Sequence, residues 1–392
     1  MWDRVYKIVT YLLAALVGFA AAAVLFVVKG IIPVDPGYTK LEQLQQIIEQ
    51  QFIGETDVTA MEDAAAEAMI ASLGDRWSYY IPAEDYGRYK EQMANAYVGV
   101  GITVAVREDG KGVDVTQVQT GGPAEKAGLL PGDVIVKVDG ETFDPSDLTD
   151  VSSRVKGEAG TIVELTILRD GTEMDVGVKR EQIHLTVAEG EMLTDEIGLV
   201  TITNFDDRCA QETIAAIKAL MAEGATSLVF DVRNNPGGYK HELVAVLDYL
   251  LPEGPVFYSE DYNGATYVDY SDENCLEIPM AVLVNSESYS AAEFFAAALS
   301  EYEAAEVVGQ QTCGKGYFQQ TQQLLDGSAV NLSMGKYYTP KGVSLADVGI
   351  TPDVAVEVDD ETFAAIYGGI LAPEDDPQIQ AAVKLLEEET GN

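Results

Sequence analysis

Two apolar runs constrain this chain more than any other feature. Residues 227–233 (SLVFDVR) and 280–285 (MAVLVN) are almost unbroken in apolar side chains. A sheet with one wet face would alternate apolar and polar residues, so runs of this kind belong to strands covered on both faces. They alternate with helical patterns, through Ile214 to Met221 and over residues 240–251, and an earlier strand, LVTITNF, precedes them. Strand–helix alternation from Ile197 to Val358 predicts an α/β core.

Other regions have a different texture. Leu41, Leu44, Ile47, Ile48 and Phe52, then Ala64, Ala68, Met69 and Leu73, recur at helical spacing and predict two helices. Gly74 stops the second, and Pro82 opens a short third stretch through Tyr86 and Tyr89. From Tyr97 to about Ile183 short β-rich runs are broken by glycine, which predicts a small β domain with helices near Pro123–Gly128 and Ser146–Val155. The expected organisation is a helical segment over 36–94, a β domain over 97–183, a core over 190–373 and an acidic closing helix over 374–392. Residues 36–94 either pack within the chain or pair two chains as a homodimer.

Composition excludes several functions. A chain of 392 residues holds two or three domains without staples. A net charge of −41 argues against a basic nucleic-acid-binding face. Cys209, Cys275 and Cys313 are odd in number and widely spaced, so no disulfide framework is readable. The two histidines, His184 and His241, stand in no metal-ligand pattern, which disfavours both a metal site and a Ser-His-Asp mechanism. The GxxxxGK[ST] phosphate loop is absent, and no cofactor is expected.

Ile8 to Val28 is a run of about 21 uncharged residues, long enough to cross a bilayer. Ala20 to Ala23 would suit signal-peptide cleavage, but the apolar run continues through Val24, Leu25, Phe26 and Val28, beyond an ordinary h-region. An uncleaved anchor over residues 1–30 is expected. Arg4 and Lys7 against Lys29 and Lys40 lean slightly toward an N-terminus inside. That predicts a single-pass cell-membrane protein with the rest of the chain outside the cytoplasm.

Chemistry concentrates after MAVLVN, where the chain reads SESYSAAE (286–293) and then an alanine-rich helical run. A serine between a buried strand and a helix N-terminus has amide N–H groups and the positive dipole end beside it. The same serines would also cap a helix. Lys315, flanked by Gly314 and Gly316, lies 25 residues beyond Ser290. Glycines let its backbone approach another segment, and a buried lysine can serve as a general base. GKG also suits an ordinary surface turn.

Taken together, SESYSAAE resembles the S-A-S-A-S-E nucleophile motif of the C-terminal processing peptidases, the tail-specific proteases, and GKGYFQ resembles their GKGxxQ motif. FDVRNNPGG (230–238), YYTPKG (337–342), VGITPDV (348–354) and LGDRWSYYIPAEDY (73–86) are similar to further stretches of that family, so the resemblance spans about residues 40–388. It implies a serine endopeptidase with Ser290 as nucleophile, Lys315 as general base and Gln319 orienting the lysine, on a crotonase-like or ClpP-like α/β core. It implies an oxyanion hole from the N–H of Ala291 and of Gly237 or Gly238. Tyr289 before the nucleophile, Ala292 in place of a frequent serine, and Cys313 depart from the pattern.

The stretch GGPAEKAGLLPGDVIVKVDG (121–140) resembles a PDZ domain, with Gly99, Val100, Gly101 and Ile102 as its carboxylate-binding loop and leading strand. The implied partners are protein substrates held by their C-terminal tails, with ligand binding linked to activation. The rival expectation is a catalytically idle membrane scaffold that recruits partners through the PDZ-like module.

Overall fold

The computed structural model describes residues 36–107 and 109–391. The expected anchor over residues 1–30 lies outside them, and among the described residues no helix is long and apolar enough to cross a membrane. The chain divides into two compact units, one ending at Arg76 and one beginning at Trp77.

In the first unit, α1 (Pro36–Gln51) and α2 (Val58–Ala71) follow the helical periodicity. Asp57 caps α2, its Oδ1 accepting from the Ala60 N–H at 3.1 Å. Leu41, Leu44, Ile47 and Met69 are exposed.

The second unit opens with β1 (Tyr79–Ile81) and α3 (Ala83–Met93). Grouping residues 77–94 with the preceding helices needs correction: β1 pairs antiparallel with β17 (Ala329–Tyr338), Tyr79 opposite Asn331. Three residues are too few to reveal a period of two.

The small β domain begins at β2 (Ala96–Gly99), which pairs with β8 (Glu181–His184). Its main sheet runs β3 (Ile102–Val106), β4 (Val113–Val118), β5 (Val134–Val138), β6 (Ile162–Arg169) and β7 (Thr172–Lys179), each antiparallel to the next. One-turn α4 (Pro123–Lys126) and α5 (Leu148–Val155) complete it. The second helix begins two residues later than the pattern suggests, because Asp147 caps it by accepting from Thr149 N and Asp150 N. Val113, Ile135, Val151, Val163, Leu165 and Ile167 are fully buried, each stabilising by roughly 1.5–3 kcal/mol. β3 is an edge strand, so its outer side is open to pairing.

The core sheet has the order β18-β15-β14-β11-β10-β9. It comprises β9 (Ala188–Met192), β10 (Ile197–Ile202), β11 (Ser227–Asp231), β14 (Met280–Val284), β15 (Ala305–Gly309) and β18 (Val354–Ala355). All pair parallel except β9. Every residue of β11 and β14 is buried, as the apolar runs require. On one face lie α6 (Cys209–Glu223), α7 (Lys240–Leu250) and α8 (Ala291–Glu301), sharing a core with β10, β11 and β14.

Beyond α8 stands a second sheet of β1, β12 (Gly254–Asp261), β13 (Thr266–Ser271), β16 (Tyr317–Gln323) and β17. Phe294 of α8 meets Phe257 and Tyr337 of that sheet edge-on, while Phe295 meets Phe230 of the core sheet. Wedged between two sheets, α8 is buried on all sides from Ala291 to Leu299, and its alanines let the layers close.

The chain closes with α9 (Asp360–Tyr367) and α10 (Pro377–Thr390). The acidic tail helix is part of the core: Ile379, Ala382, Val383 and Leu386 bury against Val229, Ala281 and Leu283 on the sheet's other face. Asp376 caps α10 and binds the buried Arg233 at 2.7 Å, which also grips Asp231.

Candidate active site

Ser290 stands where β14 turns into α8. The turn is stapled to the 232–235 segment. Ser288 Oγ donates to Val232 O at 2.7 Å, Asn234 and Asn285 exchange hydrogen bonds at 2.8 and 3.0 Å, and Tyr289 N donates to Asn235 O at 3.1 Å. These bonds hold Ser290 at φ +58 and ψ −124, a backbone state that costs of order 1–3 kcal/mol in a non-glycine residue and concentrates at functional sites. Its residue surface is 7% exposed. Capping and nucleophile chemistry are not rivals here, since Ser290 is both the N-cap of α8 and the residue presented by the turn.

The residue that gathers the site is Glu293, fully buried one turn into α8. Its Oε2 accepts from Ser290 N at 3.0 Å and Lys315 N at 2.8 Å; its Oε1 accepts from Gly314 N at 2.7 Å and Thr312 Oγ1 at 2.6 Å. One carboxylate oxygen therefore bridges the backbones of Ser290 and Lys315. Burial holds the Glu293 carboxyl above its ordinary value, and the four donors offset only part of that rise. Glu293 closes the SESYSAAE stretch but was not singled out from the sequence; a glutamate in an apolar helix start was the available signal.

Lys315 reaches the site because its neighbours lack side chains. A Cβ on Gly314 would lie 2.9 Å from Val348 N, and one on Gly316 would lie 2.7 Å from the Ala346 Cβ. Cys313 N adds a bond to Ser288 O at 3.2 Å, so residues 313–315 run beside 288–290. The Lys315 ammonium lies over two rings, 4.5 Å from the Trp77 centroid and 5.6 Å from that of Tyr289. Trp77 was not singled out from the sequence.

Gln319 lies on β16, just past a register shift, and its Nε2 donates to Tyr317 O at 3.1 Å and Ser333 Oγ at 3.0 Å. Its four-residue separation from Lys315 is spanned by strand rather than by a helical turn.

The paired glycines separate by geometry. Gly237, at φ +90, would place a Cβ 2.7 Å from Ser290 Cβ and 2.9 Å from Ala291 N. Its own N–H is taken by Asn235 Oδ1 at 2.8 Å. Gly238, at φ +150, is pressed so closely on Phe205 that any side chain would enter that residue's backbone. Among the described residues no acceptor is seen for the N–H of Gly238 or of Ala291. Next to Gly238, Asp206 is 9% exposed, and among the described residues its Oδ1 has no hydrogen-bond partner. Burial, aided by Asp207 and Glu242, pushes its carboxyl up to about 7.

Asp207, His241 and Glu242 bring one ligand atom each within 4.8 Å of one another. Glu242 is committed to Ala210 N at 2.7 Å, and the His241 ring stacks on Tyr239. Among the described residues Cys209, Cys275 and Cys313 form no disulfide.

In the β domain, Gly101 takes φ +75, Val100 O accepts from Ala124 N at 2.9 Å, and a groove runs between β3 and α5 past Gly99, Val100, Gly101 and Ile102. Val104, Val151 and Val155 line it, with Lys156 at one end.

Comparison with known proteins follows the same division. Residues 196–356 match the peptidase family S41 model and residues 115–169 a PDZ domain model. The carboxy-terminal processing protease CtpA of Bacillus subtilis (strain 168) is 32% identical over 329 residues, 83% of this chain and 70% of that protein. A CtpA-like serine protease of Staphylococcus aureus (strain COL) is 32% identical over 322 residues, 81% of this chain. The chain spans 64% of that relative's length. The solved photosystem II D1 C-terminal processing protease is 28% identical, with TM-score 0.49 over 86% of this chain and 92% of its own.

Proposed function

Because the chain belongs to the C-terminal processing proteases of peptidase family S41, we propose that it is a serine endopeptidase working through Ser290 and Lys315. The reading rests on one observation above all: Glu293 Oε2 accepts from both Ser290 N and Lys315 N, fixing nucleophile and base segments to one point.

Ser290 Oγ attacks the scissile carbonyl while neutral Lys315 Nζ takes its proton. The N–H groups of Ala291 and Gly238 face the developing oxyanion, a kind of contact whose loss costs about 3–4 kcal/mol. Gly237 supplies the close approach that lets the turn lie against Ser290, its own N–H serving the turn. Collapse of the tetrahedral intermediate breaks the C–N bond, and the Lys315 ammonium returns its proton to the leaving amine. Water, deprotonated by Lys315, then hydrolyses the Ser290 ester and restores the serine. Gln319 supports Lys315 from the second sheet.

Substrates are unfolded or loosely folded proteins whose apolar C-terminal tails add to the open edge of β3, with the carboxylate at Gly99–Ile102. Occupation of that groove gates the active site. The run from Ile8 to Val28 anchors the protein in the cell membrane with the protease outside the cytoplasm, and the exposed apolar residues of α1 pair two chains.

The experiment is cleavage of an unstructured protein with an apolar C-terminus by wild type, Ser290→Ala and Lys315→Ala. Both variants are expected to lose activity by at least about 10³-fold. Equal slow cleavage by all three would leave the scaffold reading in its place.

A further inference from the structure

Three segments far apart in sequence converge on one ammonium group. The rings of Trp77 and Tyr289 are 5.6 Å apart, inclined by 36°, and Lys315 Nζ lies over both. Tyr289 is carried by the same turn as Ser290, its N–H bonded to Asn235 O. Trp77 is carried by the second sheet: Asn331 Nδ2 donates to Trp77 O at 3.3 Å, and the next residue, buried Ser78, accepts from Ser333 N at 3.0 Å through its Oγ. Ser333 Oγ in turn accepts from Gln319 Nε2. Trp77 and Gln319 are thus fixed to the same strand, β17, from opposite sides.

A lysine side chain has four rotatable bonds, so holding the Lys315 backbone on Glu293 does not by itself fix the position of Nζ. Aromatic faces wall in the neutral amine without presenting a strong hydrogen-bond acceptor, and they attract the ammonium group that forms once Lys315 has taken the Ser290 proton. They also limit the rotamers it can adopt. A base displaced by about 1 Å from its productive position can cost about 100-fold in rate.

We propose that Trp77 and Tyr289 form a two-walled box that positions Lys315 Nζ for the reaction at Ser290. Trp77 is the principal wall, since its ring is nearer. The inference rests on the Ser290–Lys315 reading and adds two positioning residues to it.

The test is the rate at which a small fluorophosphonate labels Ser290 in the presence of a saturating tail peptide, so that occupation of the β-domain groove is the same for every variant. Trp77→Leu is expected to slow labelling about 10–100-fold and to lower kcat on a peptide equally, with KM within about twofold. Trp77→Phe keeps a ring and is expected to stay within about threefold of wild type. Labelling of W77L at the wild-type rate, or equal losses in W77L and W77F, would overturn the box. Lys315→Ala separates the two levels: if it labels like wild type, the underlying dyad is wrong, whereas loss in K315A with none in W77L removes only the box.

Should W77L fail to fold, a second measurement decides. Trp2 and Trp77 are the only tryptophans, so in a full-length Trp2→Phe chain the emission reports Trp77 alone. Lys315→Met is expected to shift that emission, and an unchanged spectrum overturns the proposal.

Discussion

The turn around Ser290 and the groove of the β domain, the two sites of the proposed function, are built in opposite ways. At Ser290 the backbone is locked by Asn234, Asn285, Ser288 and Glu293, the last three of them buried. The groove instead offers an unpaired strand edge, β3, beside the valines of α5, with few polar commitments. Chemistry needs donors fixed before the reaction begins, whereas tail recognition needs a surface that accepts many sequences through main-chain bonds. Damage should therefore appear as lost turnover in one region and weakened substrate binding in the other.

The largest effect that would sharpen this contrast is expected at Glu293. Glu293→Gln replaces an acceptor pair with one acceptor and one donor, so that either the N–H groups of Ser290 and Lys315 or that of Gly314 lose their acceptor. We expect kcat to fall about 100-fold and stability by about 2–4 kcal/mol, read by peptide kinetics and urea unfolding. Gly238→Ala comes next. A Cβ there enters the Phe205 backbone, so the turn must shift and carry its N–H away; a loss of about 10–100-fold in kcat with little change in KM is expected. Kinetics that match wild type would mean that the turn plays no part in holding the oxyanion.

The groove should answer differently. Gly101→Val cannot hold φ +75 comfortably. It is expected to raise KM for tailed substrates about tenfold while leaving fluorophosphonate labelling of Ser290 within about twofold. If the groove gates the site, saturating tail peptide accelerates labelling in wild type but not in this variant. Equal KM values for tailed and tail-less substrates in both proteins would break the comparison.

Smaller again is the pH effect of Asp206. Its folded pKa of about 7 lies above the ordinary 3.8, so folding favours the protonated form. That contribution is complete below about pH 4 and disappears as pH rises through 7. Asp206→Asn should therefore lose less thermal stability than wild type between pH 5 and pH 8, measured as the difference in Tm shift between the two. Identical shifts would mean that the carboxyl ionises as it does in water. The smallest expected change concerns α1: Leu44→Asp with Ile47→Asp should convert a dimer to a monomer in sedimentation of the full chain in detergent, with activity per chain unchanged.

What could be read from the sequence follows the same physics. Residues 227–231 and 280–284 were legible as covered strands because every side chain in them is buried. Residues 121–140 were legible because turns, a short helix and a strand follow one another with their own residue signals. Ser290 and Lys315 were legible only as a pair, since each alone fits a common local role. Glu293 was not, because an acidic residue in the first helical turn ordinarily faces water and serves the dipole. Trp77 was hidden for another reason: its partners lie more than 200 residues away, and the three-residue strand that delivers it has no measurable period. Gly237 and Gly238 could not be told apart in the sequence, because nothing in it says that the Gly237 N–H is already bonded to Asn235 Oδ1.

The most direct measurement is the mapped site and rate of fluorophosphonate labelling in wild type and Lys315→Ala, followed by intact mass and peptide mapping. The account predicts a single adduct on Ser290 in wild type and none in Lys315→Ala over the same time. An adduct on Ser286 or Ser288, or labelling of Lys315→Ala at the wild-type rate, would contradict it.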